Sequence, residues 1–266
     1  MSKYDESRKA RKEILASAKR SSPGTVEIWQ LDMAEYGSVL AFGERIQKIS
    51  RLNVFIANAG IETTHFERFE GNESTLTVNV ISTILVSLLA IPKLRETSNA
   101  QAKPSHLVIT RSAVHIWAKP EHLVAPKPGH IFESLNNEST ADMSDRYNLS
   151  KLLLLLAVRK LAEALTGSME KGHVILTIVN PGWCKTDLFR TIDLGKGQGF
   201  GLRLIGSTAE EGSRTLVYGA AAGADAHGKF MSESRIKPES TVRIFGEQKT
   251  SYFIPNPEQI YVVPRH

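Results

Sequence analysis

Tyr147 and Lys151 stand four residues apart near the start of a predicted helix over 145–166, so their side chains share one helical face. A free phenol has a pKa of about 10, which makes it a poor proton carrier at neutral pH. An ammonium about 5 Å away, at an effective dielectric of about 20, favours the phenolate by roughly 3 kcal/mol, or about two pKa units. That spacing predicts a Tyr147 poised to give or take a proton. Ser112 follows a predicted strand over 107–110, where its hydroxyl can bond a carbonyl oxygen held between it and Tyr147. Such a trio suits proton transfer to a carbonyl whose carbon receives hydride from a nicotinamide. The Tyr–Lys pair alone is common in helices, and a solvated surface pair is its ordinary reading; the order of the surrounding motifs gives it weight.

The elements that position the trio follow from hydrophobic patterning. Residues 5–20 have helical composition, and Ser21-Ser22-Pro23-Gly24 turns the chain. Residues 26–31 alternate apolar and polar, which predicts a strand closed by Asp32. Helical spacing returns over 38–49, and 53–57 is a short apolar run of the kind expected of a parallel strand buried on both faces. A long Val-, Ile- and Leu-rich helix is predicted over 74–94, an inserted loop over 117–145, and a strand over 173–179. Strands alternating with helices predict a doubly wound parallel α/β sheet in one domain spanning 1–266. Ligands of such sheets bind beyond the carboxyl ends of the strands. The residues to inspect are therefore Asp32, Asn58-Ala59-Gly60, Arg111-Ser112 and Asn180-Pro181-Gly182.

Composition narrows the function classes. The 266 residues are 41% hydrophobic and 23% charged, which is the balance of a globular chain. A net charge of +5 is too small to mark a nucleic-acid binder, and the basic N-terminal segment is interrupted by Asp5, Glu6 and Glu13. The single cysteine, Cys184, excludes an internal disulfide and a cysteine-rich zinc site and fits a reducing compartment. No signal peptide opens the sequence, and the run 152–158 is too short for a membrane span, so a cytoplasmic protein is expected. His65, His106, His115, His122 and His130 are scattered without a paired metal-ligand spacing.

Taken in order, several segments resemble the short-chain dehydrogenase/reductase family: Leu31-Asp32-Met33, Asn58-Ala59-Gly60, Val78-Asn79-Val80, Ile109-Thr110-Arg111-Ser112, Tyr147-Asn148-Leu149-Ser150-Lys151 and Pro181-Gly182-Trp183-Cys184-Lys185-Thr186. The run Ser112-Ala113-Val114-His115-Ile116-Trp117-Ala118, with the long insert before Tyr147, resembles the retinol-dehydrogenase-like branch and its fungal secondary-metabolism relatives. The resemblance implies a Rossmann-like fold, NADP or NAD as cofactor, and a family-like region over 1–245 followed by an atypical tail over 246–266. It implies Tyr147 as acid/base, Lys151 as its neighbour and a donor to the nicotinamide ribose, Ser112 as carbonyl orienter, and Asn79 as holder of a water beside Lys151. It further implies Asp32 beside the adenine, Asn58, Ala59 and Gly60 beside the adenosine ribose, and Pro181, Gly182, Cys184 and Thr186 on the nicotinamide side. From spacing alone, Asn79 reads more readily as a cap for a neighbouring backbone group, and the Cys184 thiol as a small buried filler. The family resemblance also implies self-association through 74–94 and 145–166.

Two departures accompany the resemblance. Arg111 stands where the family usually has a second serine. The sequence also has no Gly-rich turn between a strand and a helix ahead of Asp32, so the expected sheet lacks the family's first two strands and its phosphate loop. The one Gly-rich stretch, 195–201, reads as a flexible lid, which with Leu188, Phe189, Ile192, Phe200 and Leu202 favours a bulky hydrophobic small-molecule substrate. The expected function is therefore an NAD(P)-dependent oxidoreductase; the alternative is a redox-silent relative acting as a ligand-binding or partner subunit.

Overall fold

The computed structural model describes residues 3–17, 24–124, 129–182, 184 and 208–237. Its centre is a five-stranded sheet. The strands are β1 (Val54–Ala57), β4 (Ser105–Thr110), β5 (Val174–Asn180), β6 (Phe230–Ser232) and β7 (Arg235–Ile236), in that spatial order. The first three pairings are parallel, with Phe55 opposite Leu107, Leu107 opposite Leu176, and Ile178 opposite Phe230. β7 returns antiparallel, and a separate two-stranded hairpin joins β2 (Arg68–Phe69) to β3 (Asn72–Glu73).

Side chains alternate across a strand, so each central strand feeds two cores. Leu107, Ile109, Leu176 and Ile178 share one cluster with Ala90 and Leu94 of helix α3 (Ser74–Gln101) and with Leu154, Leu155 and Val158 of helix α4 (Arg146–Thr166). Val108, Val179 and Met231 face the other way, against Leu216 and Ala220 of helix α5 (Ala209–Ala220). Gly219 makes that approach possible, because a Cβ there would lie 2.7 Å from Val179 Cγ2. Two further helices precede the sheet's covering layers in the chain: Lys3–Ser17 and Tyr36–Gln47. The predicted loop over 117–145 includes the short helices Glu121–Val124 and Ile131–Leu135.

Three expectations are corrected. Residues 26–31 form no strand. Trp29 instead packs edge-on against Phe42, 5.7 Å between ring centroids, with the Arg45 guanidinium 4.0 Å from its ring. Alternation reports a two-faced segment, but a strand also needs a ladder partner, and among the described residues this one has none. β1 is likewise not buried on both faces. It is the sheet edge, and Val54 and Ile56, on the same face as Val108, are 37% and 39% exposed. Finally, 152–158 is not the one segment to weigh against a membrane span. α3 is long and apolar enough to cross a membrane by composition, yet 72% of its most apolar window is buried within the fold.

α3 contains a π-helical stretch, Thr77–Ser82, which widens one turn and turns Asn79 inward. Its N-terminus is capped by the fully buried Glu73, whose carboxylate accepts from the backbone N–H of Thr75 at 2.8 Å and of Leu76 at 3.2 Å. The same carboxylate lies 3.5 Å from Arg146 Nε at the start of α4. Arg146 in turn donates to the Leu135 carbonyl at 2.8 Å. This buried ion pair joins the beginnings of the two helices that carry the candidate site.

Candidate active site

Ser112 leaves the end of β4 and opens a short 3-10 turn, Ala113–Trp117, with its Oγ accepting from the Val114 N–H at 3.4 Å. Tyr147 and Lys151 project from the first turns of α4. The Lys151 ammonium lies 5.2 Å from the centroid of the Tyr147 ring, and both residues are buried. The Ser112 hydroxyl lies near enough to the Tyr147 hydroxyl to act on its pKa. The three groups that the sequence brings forward thus meet at the carboxyl end of the sheet, where β4 and β5 end side by side.

The electrostatics differ from the expectation drawn from spacing. Tyr147 is not shifted toward the phenolate: burial raises its pKa, the Glu62 carboxylate raises it further, and only the Ser112 hydroxyl opposes them. Desolvation of the charged form outweighs a favourable neighbour when the phenol is this deeply enclosed. The resting phenol is therefore a held proton. Lys151 is pushed down to about 8, first by burial and then by the Arg111 guanidinium, with Glu62 acting the other way. It still carries its proton at neutral pH.

Two residues at the site were given no role in the sequence reading. Glu62 sits two positions beyond Gly60 and senses both Lys151 and Tyr147; burial raises its carboxyl to about 7, against the pull of Lys151. His115, in the turn after Ser112, contacts the Ser112 carbonyl through Nδ1 at 3.2 Å, and burial followed by the Arg111 charge lowers it to about 4. Neither belongs to a spacing pattern. The signal that points to them is position alone, since both lie within a few residues of a strand's carboxyl end.

The remaining predicted residues fall into distinct places. Asn79 is buried, and its side chain is committed to the protein: Oδ1 accepts from the Ile61 N–H at 2.8 Å, and Nδ2 donates to the Ile61 carbonyl at 2.8 Å and to Ser150 Oγ at 3.1 Å. It clamps the loop after β1 to α4, which is the capping behaviour that spacing alone suggests. Asn58 and Ala59 are exposed, whereas Gly60 is tucked in. A Cβ on Gly60 would lie 3.1 Å from Asn79 Oδ1 and 3.5 Å from Lys151 Nζ, so the absent side chain keeps the space beside the ammonium clear. Asp32 is exposed and makes a turn ahead of Tyr36–Gln47, accepting from the Ala34 N–H at 2.9 Å. Pro181 and Gly182 follow β5, Gly182 with φ +86°, and the Cys184 thiol donates to the Pro181 carbonyl at 3.3 Å. Burial raises that thiol's pKa, as befits a packed filler. Thr186, the Gly-rich 195–201 stretch with its apolar neighbours, and the tail over 246–266 lie outside the described residues.

Comparison with known proteins bears on the fold and the family. A family model described as short chain dehydrogenase matches residues 2–113. A short chain dehydrogenase/reductase of Cryptosporiopsis sp. is 38% identical over 223 residues, covering 82% of this chain and 67% of that protein. A short chain dehydrogenase of Alternaria solani is 34% identical over 229 residues, covering 86% of this chain and 76% of that one. The match thus spans about two thirds to three quarters of these relatives' lengths. Among solved structures, an NADPH-bound carbonyl reductase from chicken fatty liver superposes with a TM-score of 0.56 at 20% identity, covering 87% of this chain and 83% of the other. The Pseudomonas aeruginosa RhlG/NADP active-site complex gives 0.55 at 18% identity, covering 80% and 77%. The structural likenesses establish the Rossmann-like fold, and the fungal relatives bear out the branch suggested by the run from Ser112 to Ala118. On the strength of those relatives, the chain belongs to the short-chain dehydrogenase/reductase family.

Proposed function

We propose that this chain is an NAD(P)-dependent oxidoreductase that reduces a carbonyl to an alcohol on a bulky hydrophobic small molecule, in fungal secondary metabolism. The observation that carries the reading is the meeting of half-buried Ser112 with buried Tyr147 and Lys151 at the carboxyl end of the sheet. In the reductive direction the carbonyl oxygen needs a proton donor as it becomes an alkoxide, and the surroundings of Tyr147 hold its phenol protonated for that step. Ser112 orients the carbonyl oxygen through its hydroxyl. Tyr147 gives its proton to that oxygen, and Lys151, still charged at neutral pH, stabilises the phenolate that remains. Exposed Ile116 and Trp117, on the turn that begins at Ser112, offer apolar surface to the rest of the substrate.

The residues present fit the nicotinamide end of a dinucleotide. The clearance left by Gly60 opens beside the Lys151 ammonium, and an ammonium with a neighbouring phenol is a suitable donor set for ribose hydroxyls. Lys151 and Tyr147 would hold that ribose, and Asn58, Ala59 and Gly60 would flank the adenosine ribose, with Asp32 beside the adenine. Pro181, Gly182, Cys184 and Thr186 would line the carboxamide side. When bound, the nicotinamide supplies hydride to the carbonyl carbon. The sequence contains no Gly-rich strand-turn-helix motif to receive the pyrophosphate, so nucleotide affinity is the property to measure first.

Titration of this protein with NADPH and NADH, followed by quenching of tryptophan fluorescence, is expected to saturate, with loss of affinity in Lys151→Ala. Absence of saturation by either nucleotide at millimolar concentration contradicts the oxidoreductase reading of this chain and favours a redox-silent, ligand-binding relative.

A further inference from the structure

We propose that Arg111 is a positioning residue for Lys151, fixing the stretch of α4 that bears the ammonium against the end of β4 and setting the electric field in which that ammonium works. The inference rests on the reading of Lys151 as part of the active site and adds a residue to it.

Arg111 is 2% exposed, an extreme burial for a guanidinium, and three separate elements hold it. Its own N–H donates to the Val179 carbonyl of β5 at 2.7 Å. Its Nε donates to the Lys151 carbonyl of α4 at 3.2 Å. Its guanidinium carbon lies 5.1 Å from the centroid of Phe230 on β6. Its side chain therefore joins the reactive segment of α4 to β6, while its backbone is fixed to β5, from the position immediately before Ser112. A serine, the usual family residue there, lacks both the reach and the charge.

Arg111 at the end of β4 and Glu62 on the loop after β1 act on Lys151, the Tyr147 ring lies one turn earlier on α4, and His115 on the turn after β4 faces Arg111. Arg111 and Glu62 act on the lysine in opposite senses, the arginine disfavouring its charged form and the carboxylate favouring it. His115 is held neutral by burial and by the same guanidinium. A permanent cation so close to an ionisable one is costly for both, and the fold retains it where it also clamps the backbone.

The test reads the lysine directly and needs neither nucleotide nor turnover. In protein labelled with [ε-13C]lysine, the Lys151 resonance is identified by its loss in Lys151→Met, and its chemical shift is followed against pH. A wild-type midpoint at least one pH unit below the ordinary lysine value of about 10.4 is expected. In Arg111→Gln it is expected to rise by about one unit or more, while Arg111→Lys keeps it low. Two results overturn the proposal: an ordinary wild-type midpoint, or a folded Arg111→Gln protein whose midpoint does not move. Where Arg111→Gln fails to fold, Arg111→Met, which keeps the bulk without the charge, is read in its place by the same criterion. A normal nucleotide titration with an ordinary midpoint sinks this inference alone and leaves the oxidoreductase reading standing.

Discussion

Replacing Tyr147 with phenylalanine is expected to lower carbonyl reduction by about 10²–10⁴-fold while the protein folds and binds nucleotide nearly as before. The argument is local. The substitution removes one hydroxyl from a side chain that is only 9% exposed, and leaves the ring that faces the Lys151 ammonium in place. Ser112 alone can still orient an oxygen, but it does not face the Lys151 ammonium as the Tyr147 ring does and so lacks the charge that would stabilise its conjugate base. The comparison is made by steady-state consumption of NADPH with an apolar ketone, alongside the fluorescence titration of both proteins. A variant that retains more than about a tenth of the wild-type rate removes Tyr147 from the chemistry.

Glu73→Ala is expected to be the most destabilising single change at this end of the molecule, by about 3–5 kcal/mol. It strands the Arg146 guanidinium, which is 2% exposed, without its 3.5 Å carboxylate partner. It also removes the acceptor for the Thr75 and Leu76 N–H groups at the first turn of α3. A chain of this size loses about 2–4 °C of Tm per kcal/mol, so a fall on the order of 10 °C is anticipated in thermal melts. Glu73→Gln retains an acceptor for the helix cap and should fall between the two. A loss of less than about 1 kcal/mol in Glu73→Ala would show that Arg146 reaches another partner or water. Because Tyr147 directly follows Arg146, the same melts report on how firmly the start of α4 is held.

How much of this could be read from the chain depends on the kind of signal each element carries. β4, β5 and α4 are legible because their apolar runs are buried from both sides or along a full face, and burial is what composition encodes. The trio is legible because Tyr147 and Lys151 are tied by helical spacing and Ser112 by its place after a strand. Residues 26–31 are misread because alternation describes the segment's two faces but not whether another strand lies beside it. β1 is misread for the same reason: Val54 and Ile56 are as apolar as buried strand residues, and only the sheet order shows them at an edge. The hairpin of β2 and β3 depends on Glu70 and Gly71 at φ 52° and 79°, a left-handed pair that a Glu-Gly dipeptide signals only weakly.

Within the site, sequence reasoning brings forward the groups proposed to react and mistakes their balance. A pairwise Coulomb argument predicts a lowered Tyr147, whereas burial, invisible in a one-dimensional spacing, raises it. Glu62 and Arg111 then set Lys151 from opposite sides. Arg111 is visible in the sequence only as a departure from a serine, and its reach to the Lys151 carbonyl appears once the strands and α4 are placed in space. Asn79 shows the reverse case, in which the modest reading from spacing describes its contacts well.

The central claim is that hydride reaches a carbonyl carbon while Tyr147 protonates the oxygen. It is tested most directly by incubating the protein with an apolar ketone and NADPH carrying deuterium at the transferable C4 position, then locating the label by mass spectrometry. The account predicts deuterium on the carbinol carbon of the alcohol product with the wild-type protein, and almost none over the same period with Tyr147→Phe. Unlabelled product, no product despite saturable nucleotide binding, or equal labelling by the two proteins would contradict it.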